Sequence, residues 1–481
     1  MQSSNRIKDR QTFFNLQKVD LFDFVERNIL WLRWVIVFVV FITAIGIGFL
    51  TSQVNPLYVL AASFGLLLAL AAFVFLQRFE LAPVLILGTA LFVPITLPTG
   101  TGSRLAISMV VVVMFFGLWV LRAMTVERRF SLKPSPVNFP LLAFLAVTTF
   151  SVFWSIMFRD PFVFVPGSFI IVQIASALVM IMLPVAFLMT GNFIESTRQL
   201  KIMSVMMLAA GGLGLGKYLT GLPLPVDTRG MFNLWVIGLA FGLAIFLKKL
   251  HWSLRGLLFL LVGGLIYWSF IRNISWLAGW LPALVALGVL SWMRSKKLVV
   301  LFLVCFLALV ISNSEYYLGR VLQNEKQESG FTRLAAWKAN WSITHDHLVF
   351  GTGPAGYAVY YMSYFPREAM ATHNNYIDIL AQTGIVGSIF CMWFFGSLVW
   401  VGYRLCLRLK GRGDFLEALA NVSLAGTCAC IVIMAFGDWL FPFAYTQTIE
   451  GFNYAVYNWL FMGAILVLDR LFPSIVEGKN G

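Results

Sequence analysis

The chain has 481 residues, 60% of them hydrophobic and only 12% charged, with a mean hydropathy of +0.85. Ordinary soluble domains carry about twice that charged fraction. The net charge of +14 does not point to nucleic acid, because the basic residues are spread over the connections between apolar runs, as orientation signals are.

Fourteen apolar stretches follow one another: 34–50, 57–76, 81–97, 105–121, 139–157, 168–190, 201–219, 232–247, 255–270, 274–292, 298–312, 384–403, 417–437 and 453–468. Several reach the ~18–20 residues that cross a hydrocarbon core as helix. Backbone groups in lipid must be satisfied within the segment, so helices are expected, and the alternation of an outer-membrane barrel is absent. The sequence predicts an all-α polytopic transmembrane bundle of about 12–14 spans, the lower figure because several stretches are short. One large extracytoplasmic loop, containing short amphipathic helices, interrupts it.

The expected organisation is a cytoplasmic arm at 1–33, a bundle at 34–312, the large loop at 313–383, further spans at 384–470 and a cytoplasmic tail at 471–481. The first apolar run lies behind a polar arm with no secretory cleavage site after it, and reads as a signal anchor. Assigning the connections alternately to two sides puts 25 of the 35 lysines and arginines on the side of both termini. Positive-inside logic therefore places both termini in the cytoplasm and the long loop outside. The five cysteines, Cys305, Cys391, Cys406, Cys428 and Cys430, fall in or beside apolar runs and read as small buried hydrophobes.

Two short outward connections carry an arginine: Asp227-Thr-Arg229-Gly230-Met-Phe-Asn233 and Ile271-Arg272-Asn273-Ile274-Ser275-Trp276. The charge bias disfavours arginine there, so each either has a partner or snorkels to lipid phosphates. In the long loop, Thr332–Ile343 has the pattern of an amphipathic helix, with Leu334, Trp337 and Trp341 at i, i+3 and i+7. Such a helix lies on the bilayer surface or caps the bundle. His345-Asp346-His347 lacks a further ligand set of recognisable spacing, so no metal is assigned. Gly351-Thr-Gly353-Pro-Ala-Gly356 lacks the Lys-Ser/Thr ending of a phosphate loop and reads as a tight turn.

Thr372 or Asn374 is placed to cap a helix running into 384–403. His373 would then feel the positive end of the helix dipole, stay neutral near pH 7 and be able to accept a proton. A structural hydrogen-bonding role is the competing reading.

These residues resemble a family, the O-antigen ligases and Wzy-type O-antigen polymerases, over roughly residues 200–437. The pattern Arg333-x-x-x-Trp337, Gly351-x-Gly353, His373-Asn374 and Gly384-Ile385-x-Gly387 is similar to the family's large periplasmic loop and following helix. Arg272-Asn-Ile-Ser-Trp276-Leu resembles its Ser-Arg-x-x-Trp-Leu segment, with Ile271 in place of the serine. Arg229-Gly230-Met-Phe232-Asn233 resembles its Arg-x-Gly-x-Phe-x-Asn-Pro-Asn segment, shortened and without the proline. His345-Asp346-His347 replaces the usual proline-containing stretch.

The resemblance implies glycan transfer from undecaprenyl pyrophosphate at the outer face of a bacterial cytoplasmic membrane. The acceptor would be a glycan, a lipid or a protein, a chain-length regulator a further partner, and no cofactor is required. Arginines at headgroup level suit the charge that develops on a diphosphate leaving group, and a neutral histidine can take the acceptor's proton. This makes an inverting, metal-independent transfer the expectation. His373, Arg333 and Arg272 are the catalytic candidates, and Arg229, Tyr376, Trp337 and Asn374 would contact substrate. For Tyr376 and Trp337, a place in the interfacial aromatic belt is the stronger competing reading. A polysaccharide or lipid-linked oligosaccharide transporter is the alternative class; it would put ionisable groups near the bilayer midplane, whereas those here sit at span ends.

Overall fold

A computed structural model describes residues 78–477 apart from 94, 99–103, 274–276, 313, 316–318, 320–332 and 366–370. The expected cytoplasmic arm, the spans 34–50 and 57–76, and the charged run from Glu325 to Gly330 lie outside the described residues. Each of the twelve remaining apolar stretches is a helix. They are α1 (Ala82–Phe92), α2 (Ile107–Arg122), α3 (Asn138–Met157), α4 (Phe169–Phe193), α5 (Thr197–Thr220), α6 (Phe232–Phe246) and α7 (Trp252–Ile266). After these come α8 (Leu277–Arg294) and α9 (Lys296–Ser312). Two loop helices, α10 (Arg333–Thr344) and α11 (Gly356–Tyr364), precede α12 (Asn375–Leu409), α13 (Phe415–Ile433) and α14 (Gly451–Glu477).

Among the described residues, eight helices are long and apolar enough to cross a membrane, and α1, α6 and α8 are shorter apolar helices. A short antiparallel hairpin, Thr96–Pro98 (β1) with Arg104–Ala106 (β2), is the small strand content described. The architecture is all-α and polytopic, as the hydropathy demands.

Helices α13 and α14 form the interior: 83% and 78% of their most apolar windows are buried, against 22% for α7. α14 packs on α4, α8 on α13 and α12 on α3. Close approach is set by small residues. A Cβ on Gly426 of α13 would stand 2.3 Å from the Trp235 ring. That indole is fully buried and donates to Asn458 Oδ1 at 2.6 Å.

The connections meet at two ends. At one, Asp227 N donates to Leu91 O, Asn453 Nδ2 to Ala90 O, and Arg229 pairs with Glu450. At the other, Lys133 N donates to Asn192 Oδ1 and Lys248 N to Gly413 O. This is the alternation that successive crossings require.

Helix α12 is broken at Gly384, whose φ of +70° and ψ of −171° lie outside the helical region. An unbroken helix would pair the Ala381 and Gln382 carbonyls with the amides of residues 385 and 386. Instead they accept from Thr352 N (2.8 Å) and Gly353 N (3.0 Å), while Ile385 and Val386 N donate to Leu348 and Val349 O (2.7 and 3.4 Å). A Cβ on Gly351 would lie 2.5 Å from the Gln382 carbonyl carbon, and one on Gly384 2.2 Å from Val349 O. The Gly-x-Gly turn and the Gly384 motif are thus two halves of one joint. It is a tight turn, as expected, and its amides are spent on a broken helix.

Candidate functional site

The joint positions the first two turns of α12 at the bundle rim. Asn374 caps them: its Oδ1 accepts from Tyr376 N (3.0 Å) and Ile377 N (3.3 Å). Below the cap, the buried Asp378 Oδ1 accepts from Thr372 Oγ1 and Tyr357 Oη, both at 2.6 Å. These bonds pin 371–374 to α11 and α12. His373, in the left-handed region at φ +49°, is held out of the helix and toward the connection between α13 and α14.

There His373 Nδ1 lies 3.9 Å from Oδ1 of Asp438, a carboxylate only 2% exposed. That is an ion-pair distance, longer than a hydrogen bond. Asp438 also accepts from Phe443 N, Thr446 Oγ1 and Gln447 Nε2. Burial alone would raise its pKa, but His373 and these donors hold it below the ordinary carboxylate value. In return, the Asp438 carboxylate raises the His373 imidazole above its ordinary value, against the ring's own desolvation and the charge of Arg333. The shift therefore runs opposite to the one expected from the helix dipole. A buried carboxylate beside the ring outweighs partial charges at the helix end, which also serve the Asn374 cap.

Helix α10 lies where expected, described over Arg333–Thr344. Its inward side is Ala336, Asn340 and Thr344, whereas Leu334 and Trp341 are 72% and 55% exposed. Trp337 is turned inward, its Nε1 donating to Thr372 O at 2.8 Å, next to His373. Arg333 Nη1 donates to Phe436 O at 3.4 Å, two residues before Asp438. Arg333, Trp337, His373 and Asp438 are thus one cluster built from three separate segments.

Arg229 joins it indirectly. Gln447 bridges Asp438 and the Tyr454 hydroxyl, and the Arg229 guanidinium lies 5.0 Å over the Tyr454 ring. Arg229 has the partners its position called for: Asp227 takes Nε and Nη2 at 2.9 and 2.7 Å, and Glu450 takes Nη1 at 2.6 Å. These carboxylates hold its pKa above the ordinary value and occupy the fork that a phosphate would need. Arg272 ends a π-helical extension of α7, Tyr267–Arg272, and is exposed. Its neighbour Asn273 lines, with Arg229, Asn233, Trp268 and Tyr218, a cavity of about 170 Å³. Tyr376, in contrast, donates its hydroxyl to Ile431 O at 2.6 Å and ties α12 to α13. His345 pairs with Asp346 at the surface, and His347 stands edge-on to Tyr360.

The segment that carries Arg272, Arg333, Trp337 and His373 also decides the relationship. Residues 257–392 match the O-antigen ligase family model. No curated protein matches the chain. The chain is a multi-pass membrane protein that over this stretch is similar to the O-antigen ligases, and the match gives the transporter alternative no support. The O-antigen ligase match runs from α7 into the second part of α12, so Arg229 and Asp438 lie outside it.

Asp438, Gln447 and Glu450 were missed by sequence reasoning. The available signal was their grouping as polar residues in an otherwise aromatic connection, at the end of the bundle assigned to His373.

Proposed function

We propose that the protein transfers a glycan from undecaprenyl pyrophosphate to an acceptor at the outer face of a bacterial cytoplasmic membrane, as an inverting, metal-independent ligase or polymerase. The observation that carries this reading is the His373–Asp438 contact with Arg333 and Trp337 in the same cluster. His373 takes the acceptor hydroxyl's proton as that oxygen attacks the anomeric carbon. Asp438 stabilises the imidazolium that results. The bond from the anomeric carbon to the diphosphate breaks on the opposite face, and the electron pair leaves with the diphosphate. Arg333 and Arg272 stabilise that growing charge, a role for which planar guanidinium forks are suited.

Arg229, committed to two carboxylates, organises the rim instead of clamping the donor. Trp337, half-buried beside His373, is the better candidate for sugar stacking, since Tyr376 and Asn374 are engaged in tying and capping α12. The polyprenyl tail has a groove of about 310 Å³ lined by Ile266, Phe270, Leu284, Phe302 and Phe306, adjacent in the chain to Arg272.

Replacing His373 with alanine is expected to abolish transfer while leaving insertion and expression intact. Retained turnover in His373→Ala would remove it as the base. Surface glycans of a deletion strain separate the two activities: single repeats on the acceptor indicate a polymerase, and long polymer left on the carrier a ligase.

A further inference from the structure

Two adjoining cavities lie at the end of the bundle away from His373, between α8 and α12, both of which pack on α13. Their floor is one face of α13, where Glu417, Asn421, Leu424 and Cys428 recur at i, i+4, i+7 and i+11. Eleven residues of helical rise span about 16 Å. That is the depth of one leaflet in a hydrocarbon core about 30 Å thick. The part nearer the midplane, about 470 Å³, is walled by apolar side chains such as Val285, Val289 and Val399. The outer part, about 140 Å³, shares Trp292, Met293 and Tyr403 with it and ends on Lys410, Glu417 and Asn421.

The mouth is basic. Lys410 is exposed, and Arg294 lies 5.8 Å over the ring of Phe246, which also lines the mouth. Lys296 and Lys297 follow in sequence. Among the described residues, Glu417 is the one carboxylate lining this mouth, against Lys410 and Arg294, and its oxygens accept from Gly411 N (2.8 Å) and Gly413 N (2.6 Å). Asn421 is 2% exposed and donates Nδ2 to Glu417 O, yet its Oδ1 has no partner among the described residues. A buried acceptor without a donor is costly.

We propose that this groove seats one anionic phospholipid, with an acyl chain between α8 and α12 and its phosphate at Lys410 and Arg294. The gradient from apolar wall to cationic mouth matches the two ends of such a molecule. Since α12 runs from the His373 cluster to this mouth, the lipid occupies a site separate from the proposed donor site.

Native mass spectrometry of the full chain, titrated with phosphatidylglycerol or phosphatidylcholine, tests this. A single phosphatidylglycerol adduct is expected to persist about tenfold more strongly than phosphatidylcholine, a difference of about 1.4 kcal/mol. The double variant Arg294→Gln, Lys410→Gln should bring the two lipids level, and Val289→Trp should remove both adducts. The double variant is at the surface and carries the test if Val289→Trp fails to fold. His373→Ala should keep the adduct, which separates this site from the glycan chemistry. Equal binding of both lipids, or full retention in the double variant, would overturn the proposal. So would an equal rise in melting temperature with inorganic phosphate alone.

Discussion

An imidazole one residue ahead of a helix cap feels two opposing fields. The helix end disfavours a positive ring, and a buried carboxylate favours it; in His373 the carboxylate of Asp438 prevails. The consequence is a pH dependence with a definite sign. Protonated His373 cannot accept a proton, so transfer should rise with pH through an apparent pKa above the ordinary histidine value. Asp438→Asn removes the charge that raises it, so the rising limb should move to lower pH. The plateau should also fall, by on the order of tenfold or more, because the imidazolium formed in the transition state loses its partner. A pH–rate profile checks both effects, and a purely structural Asp438 would lower the rate without moving the limb. Arg333→Lys should recover only part of the transfer rate lost in Arg333→Ala, because an ammonium cannot present the planar fork. A rate for Arg333→Lys equal to the parent would leave simple charge as the explanation. His373 and Arg333 were candidates from their motif. Asp438 was not, because its importance lies in a contact between two connections far apart in the chain.

Among the elements, the joint between the Gly351-Thr352-Gly353 turn and the break in α12 sets where the histidine stands. Backbone from one segment replaces the missing rungs of another, and Gly351 and Gly384 both adopt left-handed φ where a Cβ would strike backbone. Gly384→Ala should therefore cost at least about 1–2 kcal/mol from conformation alone, before the clash with Val349 O is counted. Thermal unfolding in detergent should show the loss, together with reduced transfer. Gly396→Ala is the control: it lies in the same helix, a Cβ there would meet no atom within 4 Å, and the change should be neutral or slightly stabilising. Helix α10 teaches the related lesson about faces. Its apolar spacing was visible in sequence, but Trp337 turned inward to Thr372 while Leu334 and Trp341 stayed exposed, since one tryptophan had a carbonyl to meet.

Across the whole molecule, the two ends of the bundle hold different chemistry. The end with His373 joins a histidine–carboxylate pair to cationic side chains, and the opposite end presents a basic mouth over an apolar groove. Most positive charge was assigned from sequence to that opposite end, which suits both membrane orientation and the lipid seat proposed there. The amino-acid sequence by itself determined the helical spans, their alternating path and, through its resemblance, the segment in which to look for chemistry. Those follow from run length, hydrophobicity and local charge, which a bilayer reads segment by segment. Only the tertiary structure decided that Asp438 partners His373, that Arg229 is bound to Asp227 and Glu450, and that a glycine turn completes a broken helix. Each of these pairs groups from different connections, and their meeting depends on how the helices between them pack.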